Sequence, residues 1–177
     1  MADEIKERKR LFVLARDIPF RTPLNLEEQG YACVAKPEIL ERMLQTLGLE
    51  TRHRITKFRW EDHDLPEEIL EFTHEDPETH EYLEVKIPET GEWVEVDPTW
   101  DSRIRHPMFP TLELDGKTGT GLAVDPVEKL SVEESREFIE QDSTEEARRE
   151  YFDKNREFFR AMNHWLDSLR SQTSDSK

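Results

Sequence analysis

The chain has 177 residues, 34% hydrophobic and 37% charged, with a formal net charge of -16. That length builds one domain with a modest core and a charged surface, and the excess of acid repels polyanions, which argues against a nucleic-acid partner. No run of about 20 apolar residues exists to span a membrane, and a single cysteine, Cys33, excludes an internal disulfide or a multi-cysteine zinc site.

Residues 1–10 mix both signs of charge and lack the apolar stretch of a signal peptide, so a cytoplasmic protein is expected. Residues 4–15, with Ile5, Leu11, Phe12 and Leu14 among charges, predict an amphipathic helix or a helix leading into a strand. Pro19 and Pro23 end it. Residues 18–28 read as a surface connector packed by Phe20 and Leu24. Ile39, Leu40, Met43, Leu44 and Leu47 fall at helical spacing, and Gly48 suits the left-handed residue after a helix. The start of this helix is open: it begins at Pro37, where proline suits the first position, or the turn holding Cys33 is irregular.

Residues 51–58 alternate weakly and predict a strand, which extended backward begins near Leu49. Residues 60–77 are acidic and read as an insertion, with a short helix at Pro66–Leu70 capped by Asp64. His63 and His74 lie there among Glu61, Asp62, Asp64, Glu75 and Asp76. Without fixed ligand spacing that mixture reads as a solvated loop and not as a metal site. Calcium regulation through Glu61, Asp62 and Asp64 is a weaker idea, because no loop has the spacing such a site needs.

The clearest strand signal is a hairpin from His80 to Asp97. Leu83, Val85 and Ile87 share one face, Tyr82, Glu84 and Lys86 the other, and Pro88-Glu89-Thr90-Gly91 makes the turn. Leu112-Glu113-Leu114 before Asp115-Gly116 hints at a second hairpin. Ser131 and Glu134 form a capping-box pattern. Thr144 caps a long last helix to about Leu169, with Ala147, Tyr151, Phe158, Met162, Trp165, Leu166 and Leu169 on its apolar side. A polar tail, 171–177, closes the chain.

A thiol, an imidazole and a carboxylate thus occur in the order Cys33, His80, Asp97, each at the edge of a regular element. Nucleophilic catalysis needs a sulfur, a base to ionise it and an acid to orient the base. A free cysteine has a pKa of about 8.5, and a neighbouring imidazolium and a helix N-terminus both favour the thiolate. Taken singly the three residues read as a small buried hydrophobe, a surface histidine and a turn aspartate. His53, His74 and His106 compete as bases and Asp101 as the acid. Trp93 and Trp100 are candidates to line a cleft, or to serve hairpin and core packing.

The ordered set resembles the transglutaminase-like superfamily of cysteine enzymes, which is related to the papain-like proteases. The carrying residues are Gly30 and Cys33, then Leu47-Gly48, His80-Glu81-Tyr82-Leu83-Glu84-Val85, Gly91-Glu92-Trp93-Val94 and Asp97-Pro98-Thr99. They cover about seventy residues; the flanks resemble no family. Glu81 stands where that family commonly has alanine, and two residues separate Gly30 from Cys33. The resemblance implies an α+β fold in which a cysteine-bearing helix packs on an antiparallel sheet. The core would span about 26–101 of a single 1–177 domain, with a helical extension at about 127–170. It implies Cys33 as nucleophile, His80 as base and acid, and Asp97 as the residue orienting His80. The oxyanion hole would use the Cys33 backbone N–H and, as a second donor, Gln29. The expected activity is attack on peptide or amide bonds through a thioester, with hydrolysis favoured over transamidation and a peptide or protein as substrate. No metal or cofactor is called for. The alternative is a module of the same fold without turnover that binds a basic protein partner through its acidic surface.

Overall fold

The computed structural model describes residues 2–171; of the expected polar tail, residues 172–177 lie outside the described residues. The chain is mixed α+β. Among the described residues its elements are α1 (Ala2–Arg16), α2 (Ala35–Gln45), β1 (Thr51–Phe58), a 3-10 turn (Trp60–His63), α3 (Glu67–Leu70), β2 (Glu78–Lys86), β3 (Trp93–Val96), β4 (Glu128–Lys129), α4 (Val132–Asp142) and α5 (Glu145–Ser171). The sheet is antiparallel with order β3-β2-β1-β4. No helix among them is long and apolar enough to cross a membrane.

The register pairs Ile55 with Glu81 and Thr56 with His80 between β1 and β2, and Leu83 with Val96 between β2 and β3. The hairpin closes where Ile87 accepts from Thr90 and Gly91 and donates to Glu92, with Gly91 at φ 73° supplying the left-handed step. β2 is a central strand, and His80, Glu81, Tyr82 and Leu83 are all buried. Both of its faces are therefore covered, which the expected inside–outside alternation did not anticipate.

Two apolar clusters hold the elements together. Leu11, Phe12 and Ala15 of α1 and Leu40 and Leu44 of α2 pack against Leu83, Val85 and Val96 of the sheet. Phe58, Trp60, Leu65 and Ile69 meet Trp100, Phe109 and the α5 residues Phe158, Phe159, Met162 and Leu166. Residues on both sides of the 26–101 stretch thus build the core. β4 adds two residues to the sheet inside the expected helical extension, and its Glu128 carbonyl accepts from Thr56.

Local chemistry explains several boundaries. α2 begins at Ala35, so Pro37 sits in its first turn, where a missing N–H costs nothing. α2 ends with Gly48 at φ 75°, Gly48 N–H bonded to Gln45 O and Leu49 N–H to Leu44 O; this is the paired C-terminal motif that leucine-glycine suggested. The Ser131–Glu134 capping box forms in full, and Thr144 accepts from Ala147 N–H at the start of α5. Three expectations fail. Asp64 adopts φ 50° and caps nothing; Pro66 precedes α3 without a side-chain cap. His63 is buried and not solvated, because the 3-10 turn tucks it against Phe58 and Phe109. No hairpin forms at 112–116. Asp115 instead accepts from the N–H groups of Lys117 and Thr118 and makes its own turn.

Candidate active site

Cys33 lies in the turn two residues before α2 and not on the helix, which corrects the expected cysteine-bearing helix: the regular helix begins only at Ala35. The chain reaches it through a connector folded back on itself. Asn25 accepts from Glu27 and Glu28 N–H at the tip, and Arg21 and Tyr31 exchange backbone hydrogen bonds at 3.3 and 2.8 Å. Gly30 is where the two arms touch. A Cβ there would lie 2.2 Å from Pro23 Cδ and 2.8 Å from Arg21 O, so glycine is required by the close approach. The connector also turns Phe20, Thr22 and Pro23 toward a cleft and is more than surface packing.

Lys36 fastens this segment to the rest of the site. Its side chain is fully buried, and Nζ donates to Arg16 O at 2.5 Å, Ile18 O at 2.9 Å and Thr99 O at 2.7 Å. Burial draws the amine down toward about 7 against the charges of Asp101, Asp97 and Asp17. Three carbonyl acceptors match the three N–H donors of an ammonium, and that complementarity favours the charged form.

His80 and Asp97 meet in the interior. His80 Nε2 and Asp97 Oδ2 are 2.7 Å apart, and both residues are buried. Asp97 is fully engaged. Oδ2 also accepts from Ala123 N–H at 2.8 Å, and Oδ1 from Thr99 N–H at 3.1 Å and Thr99 Oγ1 at 2.6 Å. Burial works against the His80 imidazolium, but the charge and hydrogen bond of Asp97 outweigh it, with smaller contributions from the neighbouring Cys33 sulfur. The imidazole is pushed up to about 10. The same pair holds Asp97 below the usual carboxylate range although burial opposes that. With Nε2 on Asp97, Nδ1 is the ring nitrogen left for other chemistry.

The competing groups are occupied. His53 bonds Glu81 through Nδ1 and Glu41 through Nε2 at 3.0 Å; burial opposes its charge, but the two carboxylates raise it to about 9. Glu81, the departure beside His80, is thereby supplied with a partner. His74 bonds Phe72 O through Nδ1, and His106 Nδ1 accepts from Met108 N–H. Asp101 clamps Phe20 N–H and Arg170. Among the described residues no three His, Cys, Asp or Glu side chains converge to hold a metal ion.

Cys33, which is half-buried, and His80 open on a cleft of about 560 Å³. Gln29 is exposed on its wall; the expected Trp100 also lines the cleft but is buried, its indole N–H donating to Ala123 O. Trp93 does not line the cleft; it lies beneath the Arg52 guanidinium, 4.2 Å away. The opposite wall comes from Phe138, Ile139 and Asp142 of α4 and Tyr151, Phe152 and Phe159 of α5. Glu78 lies at the start of β2, two residues before His80 and so on the same face of the strand. Sequence reasoning missed Glu78, although that alternation points to it. It had no signal for Tyr151 as a cleft residue, since helical periodicity assigns it only to the packed side of α5. Comparison with protein-family models, with curated proteins and with solved structures finds no match for this chain.

Proposed function

We propose that this chain is a cysteine-nucleophile enzyme with a transglutaminase-like core, acting on peptide or amide bonds through a thioester. The observation that carries the reading is a buried His80 bonded to the Asp97 carboxylate, on the wall of an open cleft that Cys33 also lines. A thiol attacks as its thiolate, and the charge partner it needs is the His80 imidazolium. The thiolate adds to the carbonyl carbon, and the oxygen takes up the electron pair. Donors for that oxygen are the Cys33 backbone N–H, at the head of α2, and the Gln29 amide. As the C–N bond breaks, His80 gives its proton to the leaving amine, leaving a thioester and a neutral imidazole. His80 then takes a proton from water, the hydroxide adds to the thioester, and the acid departs as the thiolate re-forms. Asp97 stays ionised and keeps the imidazole oriented. Water is always at hand in an open cleft, which favours hydrolysis over transamidation. The open cleft also weighs against an inactive binding module, which a plugged one would have favoured.

The test is the labelling of Cys33 by iodoacetamide at neutral pH. Wild-type protein should react at least about tenfold faster than a free thiol, and His80→Ala should remove most of that advantage. Labelling at the free-thiol rate, unchanged in His80→Ala, would refute the proposal.

A further inference from the structure

Glu78 is a buried carboxyl group facing the cleft that the thioester chemistry leaves unused. It is 3% exposed. Its Oε1 accepts from Thr79 N–H at 2.8 Å and its Oε2 from the Tyr151 hydroxyl at 3.0 Å. Neither donor carries a charge. Burial raises this carboxyl to about 7, with Thr79, Tyr151 and Trp60 opposing the rise and Glu75 adding to it. A carboxylate offers about four acceptor positions, so room remains for a further donor.

The Trp60 side chain lies beside it. The Trp60 indole N–H is buried and short of full bonding distance to any acceptor, and the carboxyl it leans on and lowers is Glu78 itself. Trp60 lines the same cleft as Glu78 and Tyr151. Beyond Glu78, the cleft lining carries four carboxylates, Glu28, Glu38, Glu81 and Asp142, against Arg42, Arg148 and the His80 imidazolium. Arg42 is moreover paired with Glu38. An aromatic wall with a buried acceptor at its base suits an ammonium or guanidinium, whose charge the ring faces also attract.

Resting on the thiol-enzyme reading above, we infer that the substrate is a peptide bearing a lysine or arginine side chain, its cation seated at Glu78 beneath Tyr151. The cation draws Glu78 into its ionised form, and because the carboxyl itself is buried its preference for a cation is only weakly screened. A neutral side chain leaves the carboxyl without its partner, and an anionic one is repelled.

The chain's one cysteine reports on this subsite. Methanethiosulfonates transfer their thioalkyl group to a thiolate and release sulfinate, and they come with cationic 2-aminoethyl, neutral 2-hydroxyethyl and anionic 2-sulfonatoethyl groups. Each rate on the full chain is divided by the same reagent's rate on N-acetylcysteine amide. The cationic reagent should be favoured over the neutral one by at least about tenfold, and the anionic one disfavoured. Glu78→Gln, which keeps shape and the Tyr151 hydrogen bond, should bring cationic and neutral reagents within about twofold, whereas Glu78→Asp should retain part of the preference. In wild-type protein, butylammonium should slow iodoacetamide labelling and 1-butanol at equal concentration should not, a readout that survives a misfolded variant. Equal normalised rates, a preference that persists in Glu78→Gln, equal protection by the two butyl compounds, or a cysteine that no reagent modifies would each overturn the inference. Because the ratio cancels intrinsic thiol reactivity, a Cys33 no faster than a free thiol would sink the thioester chemistry while leaving this result standing.

Discussion

Asp97→Asn changes a charge and the sense of one hydrogen-bonding atom while hardly changing shape. Asp97 accepts on Oδ2 from His80 and Ala123 N–H, and on Oδ1 from Thr99 N–H and its hydroxyl. An asparagine has one oxygen and one NH2, so whichever way it turns, one side faces donors with a donor. The His80 pKa stands at about 10 against an ordinary 6.5. At about 1.4 kcal/mol per pH unit this is about 5 kcal/mol of preference for the imidazolium. In the unfolded chain the imidazole is mostly neutral at pH 7, and the part expressed as folding stability there is about 4 kcal/mol. Breaking a buried ion pair by removing one partner costs a similar about 3–5 kcal/mol. The depressed Asp97 pKa is the same interaction read from the other side and is not added again. A folded value above the unfolded one means full stabilisation below about pH 6.5, lost as pH rises toward about 10. Urea midpoints of wild type and Asp97→Asn, measured across that window, should therefore differ most at its acidic end and converge toward its alkaline end. A difference that stays flat with pH, or one under about 1 kcal/mol throughout, would refute the buried ion pair. The same variant should also slow Cys33 labelling, because the imidazole loses the group that orients it.

Two further substitutions test how the site is held. Lys36→Met leaves the carbonyls of Arg16, Ile18 and Thr99 without their donor and should cost about 3–5 kcal/mol by urea unfolding; a loss under about 1 kcal/mol would mean that water or a shifted backbone replaces the ammonium. Gly30→Ala puts a methyl against Pro23 and the Arg21 carbonyl, neighbours that cannot rotate away, and should cost about 1–3 kcal/mol in thermal or urea unfolding; unchanged stability with unchanged Cys33 labelling would show that the folded-back connector tolerates spreading.

Where short-range chemistry decided the outcome, residues and structure agree. Alternation over 51–58 and 80–87 became β1 and β2, Ser131 with Glu134 became a capping box, and Gly48 and Gly91 took the left-handed steps their neighbours required. Agreement stops where a residue had two local options. Asp115-Gly116 had the composition of a hairpin turn, but Leu114 went into the core and the Asp115 side chain closed a turn of its own. His63, between acids and expected in water, was carried inward by the 3-10 turn; there burial lowers its pKa and Arg59 O binds Nδ1. β4 is two residues long, too short for any period to register, and is defined only by its pairing with β1.

The order of Cys33, His80 and Asp97 and the regular elements beneath them are properties of the polypeptide read locally, because turns, caps and alternation act over a few residues. That His80 bonds Asp97 and neither of the acids near His53, that His53 bonds Glu81 and Glu41, and that Glu78 finds Tyr151 at the far end of the chain, are not. These are choices among several carboxylates, imidazoles and rings of similar intrinsic chemistry. They are made by packing two helices onto one strand and excluding water there, a long-range condensation that no local pattern encodes.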